Sequence, residues 1–539
     1  MPSTPTTKSQ VQAYRFVLRR MQSALVRKDA VMLHDPMRTH SRATIVGVCL
    51  AAVGVVGFLV WGILSPDPAP PNDDGIVISK QTGQVYVYLK DQRRLIPTFN
   101  LASARLYLVA RQQQNNNQGQ AGGQQAGGGA AGNVVQPTIV DEKELKDIPR
   151  GRMTGIRNGP DLLPNGEQRP GQDWAVCDAY RVDPSLPNPV SENKVETTVL
   201  AGVHDLGPEL AESHALLVRA QNAKVYLVYR TPVTANIKNA NAVRAEVDMG
   251  NPSIKSALKL NDGDIRVITT GMLNAIPEAP KLAPPAIAGR GTAPNGFDVE
   301  GLKVGAVFQV VRAGEPEPDY YVLLRDGIKQ IKRTTADLIR FTESLNNKEI
   351  APVAPDAITG VSRDTADGKK IDDSASPQVQ PEVLTAQPTP VACLGWEVTG
   401  EGVDADHHTA VHVGTEVPLP KKSDGTRYTF IDIATPSSDG QRIDHFFMPP
   451  GRAAVVRGSR SKEDFGTGPI YLISDRGVKY GVPDAATAEI LGLSGQKPAY
   501  YAITNLLPDG ASLNTRDVQQ TYDSVPVGPG RYDNPNGGG

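Results

Sequence analysis

The residues best suited to chemistry form the run Asp404-Ala-Asp406-His407-His408-Thr-Ala-Val-His412. Imidazole and carboxylate ligate zinc and similar cations, and His408 and His412, four apart, would share one face of a helix. Thr-Ala-Val-His-Val reads instead as a strand, where residues four apart stand roughly 13 Å from each other. The expectation is therefore a solvated polar loop running into a strand, and no metal centre. His204 and His214 lie near acidic residues but without ligand spacing.

A phosphate-cradling G-x-x-x-x-G-K-[ST] does not occur; Gly368-Lys369-Lys370 lacks the upstream glycine and the Ser/Thr that would hold Mg²⁺. Nothing assembles a Ser-His-Asp or Cys-His constellation. Paired glycosidase carboxylates have no fixed spacing and leave no mark in a sequence. No residue is assigned a catalytic, cofactor-binding or metal-binding role, and the expectation leans away from an enzyme.

Ile45–Leu64 is an uncharged apolar stretch of 20 residues. As a helix it spans roughly 30 Å, the hydrocarbon thickness of a bilayer, and lipid leaves the backbone of a single segment no other form. Residues 1–44 carry eight Lys/Arg against Asp29 and Asp35, a net of +6. Asp67, Asp73 and Asp74 follow the span before the first lysine, Lys80. The Lys/Arg excess marks the cytoplasmic side, so the arm is expected inside and the C-terminal bulk outside. A cleaved signal peptide fits worse, because the basic region is too long and the apolar run exceeds an h-region.

Tyr14, Leu18, Met21 and Leu25, within 10–33, stand at i, i+4, i+7 and i+11, one face of an amphipathic helix. Arg15, Arg19, Arg20 and Arg27 ring the rest. An arm this short builds no core, so the stripe must meet lipid or a cytoplasmic partner. Asp35-Pro36 supplies an N-cap and first-turn proline for a second helix running unbroken into the span.

Of 539 residues, 56 are Lys/Arg and 58 Asp/Glu; without the arm, 48 basic and 56 acidic residues leave −8. A mildly acidic exterior argues against nucleic acid as partner. Of three cysteines, Cys49 lies in the span, and Cys177 and Cys393 outside it. One outer pair in a non-reducing compartment reads as a disulfide, two unrelated buried thiols being the alternative.

Four outer segments share a pattern of aromatic-led strand, turn, second strand and helix start. They begin at Val85, Val225, Tyr320 and Ile470, each with tyrosine second: Tyr86, Tyr226, Tyr321 and Tyr471. Asp326-Gly327 and Arg476-Gly477 suit hairpin turns, and Asn100, Asn239, Thr334 and Asp484 suit N-caps. The long–short–long spacing of the tyrosines excludes the fixed period of a solenoid or propeller. Each long interval also holds a cysteine near a tryptophan, Trp174/Cys177 and Cys393/Trp396. Two halves built as repeat–middle–repeat follow, their middles meeting in one domain across a pseudo-two-fold axis, with Cys177–Cys393 as its staple.

The expected fold is α+β: an amphipathic helix, a single transmembrane helix, then four small hairpin/helix repeats around a mostly-β central domain. The divisions are arm 1–44, span 45–64, Pro-rich linker 65–72, first repeat 73–140 with a disordered insertion at 112–133, and central domain 141–205. The second repeat takes 206–276, a linker 277–297 and the third repeat 298–350. The second central part takes 351–457, partly disordered over 351–390; the fourth repeat 458–523 and a disordered tail 524–539 complete the chain.

The arm QVQAYRFVLRRMQSALVRKDAVMLHDPMR, the span after it, NLASARL and FFMPPGRAAVVRG together resemble the EccB family, the bitopic membrane component of type VII (ESX) secretion systems of mycobacteria and relatives. The resemblance covers nearly the whole chain. It implies a cytoplasmic arm, an inner-membrane span and a periplasmic region with one disulfide, whose repeats are similar to a phage-lysin cell-wall-binding subunit. It also implies a core complex with an EccC-type motor ATPase, EccD and EccE, and a homodimer through the periplasmic region. The expected function is a structural scaffold for protein export; ATP hydrolysis within the same system and peptidoglycan binding are the alternatives. No cofactor is implied.

Overall fold

The computed structural model describes residues 7–28, 36–64, 71–119, 134–180, 195–220, 223–231, 240–315, 317–343, 349–400, 405–434, 443–461 and 463–522. The chain divides into two compact units, Met1–Ala69 and Pro70–Gly539.

The first unit holds α1 (Lys8–Arg27) and α2 (Pro36–Leu64). α1 opens where the Gln10 side chain takes the Thr7 N–H at 3.0 Å and stops at Lys28, whose φ of 53° is left-handed. The helix thus begins two residues before 10–33 was expected to, and 29–33 lie outside the described residues. α2 starts at Pro36 and runs unbroken through the apolar segment, as expected. Among the described residues it contains the one stretch, Ala43–Gly62, long and apolar enough to cross a membrane.

The second unit is mixed α and β, mostly β. β1 (Gly75–Ser79), β2 (Val85–Leu89) and β3 (Arg94–Thr98) form an antiparallel meander; α3 (Leu101–Gly119) follows, and β4 (Thr138–Val140) returns parallel to β1. After α4 (Glu142–Leu145), β5 (Met153–Thr154) extends the same sheet beside β3. β6 (Trp174–Tyr180) and β7 (Val195–Ala201) then form an antiparallel pair.

A second meander follows in β8 (His214–Arg219), β9 (Val225–Arg230) and β10 (Ala242–Val247), then α5 (Pro252–Leu258) and β11 (Arg266–Val267), parallel to β8. α6 (Thr270–Ala275) leads to β12 (Glu278–Leu282), parallel to β10. The third meander is β13 (Val307–Val310), β14 (Asp319–Leu323) and β15 (Ile328–Ile331), with α7 (Arg333–Glu343) and β16 (Ala351–Pro352) parallel to β13. β17 (Glu382–Val383) adds to β8.

β18 (Val391–Thr399), β19 (Asp406–Gly414), β20 (Ile431–Asp432) and β21 (His445–Phe447) join β6 and β7 in a six-stranded central sheet ordered β19-β18-β6-β7-β21-β20. The last meander is β22 (Ala453–Ser459), β23 (Ile470–Ser474) and β24 (Lys479–Val482), with α8 (Ala485–Leu491) and β25 (Lys497–Tyr500) parallel to β22. α9 (Tyr501–Thr504) and β26 (Thr521–Tyr522) end the described chain, β26 pairing with β5 in the first sheet. Four sheets thus share one connection: three antiparallel strands, a helix, and a strand parallel to the first.

One face of the central sheet buries Trp174, Val176, Leu394 and Trp396 against Leu216, Val218 and Val228 of the second sheet and Ala454, Val456 and Ile473 of the fourth. Ala102, Leu106 and Ala110 of α3 share a core with Leu472, Val482 and Leu491, and Leu338 of α7 joins the core of the second sheet. Helices therefore pair the first sheet with the fourth and the second with the third. Gly477 turns the β23–β24 hairpin with φ +76° and lies so near Phe446 that a Cβ would sit 2.9 Å from its ring.

Several boundaries differ from the sequence reading. The segment expected as linker 277–297 contains β12, whose Ala279 and Leu282 are buried while Pro280, lacking an N–H, is tolerated because the strand is an edge. The 351–390 segment is described throughout. Its Ile358 and Ile371 are buried, and its carbonyls are occupied: Tyr229 Oη donates to Ala375 O at 2.6 Å and Lys332 Nζ to Ser374 O at 2.6 Å. The insertion at 112–133 begins as helix, because α3 continues to Gly119; residues 120–133, residues 65–70 of the linker 65–72, and the tail 524–539 lie outside the described residues. β22 starts at Ala453, five residues before the fourth repeat was expected, and β16 extends the third sheet past 350.

Candidate functional site

The cysteines at the centre are bonded: Cys177 on β6 faces Cys393 on β18, and three residues along the ladder Trp174 faces Trp396. Both cysteines are buried, with Ala175, Leu200 and Phe447 around them on the face opposite the tryptophans. Trp396 stacks on Tyr500 at 4.9 Å between ring centroids, and Tyr500 Oη donates to Ala275 O at 3.0 Å.

The described part of the run, 405–412, is strand from Asp406 on rather than a solvated loop leading into one. β19 begins at Asp406, His407 is 1 % exposed and His412 7 %, and strand pairing with β18 gives the backbone its partners. Glu397 stands between the two candidate ligands, its oxygens 3.2 Å from His408 Nε2 and 3.3 Å from His412 Nε2. His412 Nδ1 lies 3.0 Å from Gly207 O. It fits beside Gly395, where a Cβ would strike Leu206 at 2.5 Å. Among the described residues no three His, Cys, Asp or Glu side chains have metal-holding geometry; Asp404 lies outside them. His204 sits 3.5 Å from Asp173, whose carboxyl burial pushes above its ordinary value. His214 starts β8, its Nδ1 3.4 Å from Ser213 Oγ.

Tyr86, Tyr226 and Tyr321 are buried and Tyr471 is half-buried, with a cation near each ring. Arg150 lies 5.4 Å from the Tyr86 centroid, Arg244 5.5 Å from Tyr226, Arg363 5.7 Å from Tyr321 and Lys479 5.1 Å from Tyr471. Burial raises Tyr86 and Tyr321 and pushes Tyr471 up to about 12. Two caps stand where expected: Asn100 Oδ1 accepts from Ser103 N at 2.8 Å and Asp484 Oδ1 from Thr487 N at 2.7 Å. Thr334 is not a cap but lies inside α7; the Lys332 N–H beyond the helix start goes to Asp373 at 2.6 Å. Asn239 lies outside the described residues, and the helix after β10 is capped by Asn251.

Sequence reading missed the joint between the central and second sheets. Asp178, fully buried, accepts from Thr197 Oγ1 at 2.8 Å and from Thr269 N at 2.7 Å, and burial raises its carboxyl. Buried Arg266 donates to the Thr389 and Pro390 carbonyls at 3.0 and 3.1 Å and covers the Tyr180 ring at 5.2 Å. Tyr180 donates to Val267 O at 2.6 Å, and burial pushes it up to about 12. The available signal was an Asp directly after Cys177 in an otherwise apolar strand.

In the first unit Tyr14, Leu18, Met21 and Leu25 are exposed, Leu18 least at 38 % and Leu25 most at 80 %, and Val11 extends the stripe by one turn. Arg15, Arg19 and Arg20 are exposed beside it.

Known proteins resemble this chain along its whole length. The family described as "Type VII secretion system ESX-1, transport TM domain B" matches residues 3–527. An ESX-1 secretion system ATPase EccB1 of Mycolicibacterium smegmatis (strain MKD8) is 28 % identical, covering 97 % of each chain. The EccB1 of Mycobacterium tuberculosis (strain H37Rv) is 26 % identical over 97 % of this chain and 96 % of the relative. A chain in the solved intact ESX-5 inner membrane complex superposes with a TM-score of 0.65 at 22 % identity, covering 98 % of each. The EccB3 dimer from the ESX-3 core complex gives 0.62 at 24 %, covering 83 % of this chain and all of that one. With a matching region that takes in the N-terminal helix, the apolar span and every sheet of the second unit, this chain belongs to the EccB family of type VII secretion systems.

Proposed function

We propose that the chain is a single-pass scaffold of a type VII secretion inner-membrane core complex, with its arm in the cytoplasm and its second unit in the periplasm. One observation carries this: an arginine-flanked apolar stripe left exposed on α1, ahead of the apolar span. Such a stripe needs a partner, and the basic arm before the span is the cytoplasmic mark. The second unit is read as four duplicated repeats about a central domain. The shared connection of its four sheets supports duplication, and the first–fourth and second–third pairings support a two-fold relation about β6 and β18. Relatives are described in an inner membrane complex and as a dimer. By that likeness the partners are an EccC-type motor, EccD, EccE and a second copy of this chain.

Mild-detergent extraction of the tagged full chain, followed by mass spectrometry, tests the reading. An FtsK-like ATPase and a multi-span membrane chain are expected; recovery of the bait alone overturns it. ATP hydrolysis is the second reading, because the curated relatives are described as ATPases. It would need a site other than a P-loop. Phosphate release by the purified chain, abolished by one exposed-acid substitution, would establish it. Tyr86, Tyr226 and Tyr321, buried with a cation near each ring, offer no sugar-stacking platform, which weighs against peptidoglycan binding through them.

A further inference from the structure

The disulfide-bearing face of the central sheet is apolar in its middle and ionisable at both ends. Glu397, His408 and His412 occupy the β19 end. At the other end His445 lies between two carboxylates, its Nδ1 2.9 Å from Asp432 Oδ1 and its Nε2 3.4 Å from Glu196 Oε2. Between them a strap of chain, 417–433, crosses the face. Its Val417, Leu419, Tyr428 and Phe430 pack against the disulfide cluster, and its tip, 421–427, is exposed. Phe430 lies 4.1 Å from the His445 ring and Tyr428 5.7 Å from Phe447.

An imidazole donates from both nitrogens only as the cation; the neutral ring has one lone pair, which here would face a carboxylate. Among the described residues, the charges facing His445 are Glu196 from β7 and Asp432 from β20, where the strap ends. Asp444, next to it in the chain, is engaged by the Thr197 N–H at 2.9 Å. Among the strap's cations, Lys422 lies 5.5 Å from the Tyr428 ring and Arg427 pairs with Glu416 at 2.6 Å. Phe430 brings no charge, and an aromatic face also favours a cation. Two anions and one aromatic ring thus surround a single titratable base, and two of those three groups belong to the strap.

We propose that His445 is a pH-responsive latch: as the imidazolium it ties the strap, through Asp432 and Phe430, over the disulfide-bearing face, and loss of its proton releases the strap. Only the protonated ring can donate to both carboxylates, so the closed form gains population as pH falls. Opening uncovers Phe447 and the apolar side of the strap, which makes access to this face a function of periplasmic pH.

Hydrogen exchange of the full chain in detergent tests the latch, read as protection of peptide 417–430 relative to peptide 470–482 in the same digest, at pH 5.5 and 7.5. The internal reference cancels the intrinsic pH dependence of exchange. Relative protection is expected to be at least about threefold higher at the lower pH. His445→Gln should abolish the difference. Asp432→Asn, at a side chain 89 % exposed and so without consequence for folding, should reduce it. No pH difference in the native chain, or an undiminished one in Asp432→Asn, overturns the proposal.

Discussion

Arg105 donates from Nη1 to the Leu491 carbonyl at 2.6 Å, across 386 residues of sequence. Leu491 ends α8, where unpaired carbonyls and the negative end of the helix dipole favour a cation. Arg169 serves the same end through Nη2 to Gly492 O at 3.1 Å and Nη1 to Ser494 O at 2.5 Å. The first sheet's helix therefore completes the fourth sheet's helix. Arg105→Ala should lower stability by about 2–3 kcal/mol, since it strands a buried carbonyl and removes a charged donor. Thermal unfolding reads this as a lower midpoint, with Arg105→Lys between the two.

The Cys177–Cys393 bond closes a separation of 216 residues. Chain-entropy arguments give such a closure at most about 5 kcal/mol. The Cys177→Ala, Cys393→Ala double variant should unfold at lower urea concentration with the same native core packing. Intact mass without reductant should be two hydrogens below the reduced value; alkylation of both thiols under denaturing, non-reducing conditions would contradict the bond.

Tyr321 is fully buried, 5.6 Å centroid to centroid from Phe308, and its hydroxyl takes an N–H from Arg312 at 3.2 Å. Tyr321→Phe keeps the ring and loses two half-buried hydrogen bonds, the one from Arg312 and one donated to Asp319 Oδ2 at 3.4 Å, about 1–2 kcal/mol. Tyr321→Ala empties the site and should cost about 3–5 kcal/mol. Were this tyrosine a sugar-stacking platform instead, the phenylalanine variant would keep binding and leave the melting curve alone.

The hairpin-helix units were legible because their signals are local: a tyrosine in an apolar strand, a glycine turn, and Asn100 or Asp484 within three residues of the N–H it caps. Where the partner is distant, the sequence was silent. Thr334 looked like a cap because nothing nearby revealed that Asp373, 41 residues on, meets the Lys332 N–H. The polar run 351–390 looked loose because the buried tyrosine and lysine that use its carbonyls lie elsewhere in the chain. The histidine run looked solvated for the same reason: Glu397 and the Gly207 carbonyl come from other segments. Spacing of cysteines and tryptophans did reveal which two strands meet, because an antiparallel pair brings equivalent positions face to face.

Asp464 organises the turn after β22. Burial raises its carboxyl, but the N–H groups of Ser461 and Arg460 and the Ser459 hydroxyl, at 2.9, 3.0 and 3.0 Å, outweigh this and hold it below its ordinary value. A depressed carboxyl binds fewer protons folded than unfolded, so its contribution is complete above the unfolded value and lost as pH falls through the folded one. Exchange protection of the described part of 459–468 should hold from pH 7 to 5 and fall only below about pH 3.9. Asp464→Asn should show weak protection throughout and no acid step.

Arg19 and Arg20 project from α1 beside the stripe of Val11, Tyr14, Leu18, Met21 and Leu25. An apolar face supplies affinity, and the flanking charges supply orientation and partner choice. Reversing both, Arg19→Glu with Arg20→Glu, leaves the stripe and the helix-forming residues in place. A partner with an acidic rim should then be recovered at least about tenfold less, while crosslinking between copies of the second unit stays unchanged. If the arm instead lies on anionic lipid, the double variant keeps its co-purifying chains and loses binding of the arm to phosphatidylglycerol vesicles. The two measurements on one variant thus separate a protein partner from a lipid surface, because only the first carries the affinity tag's co-purifying chains with it.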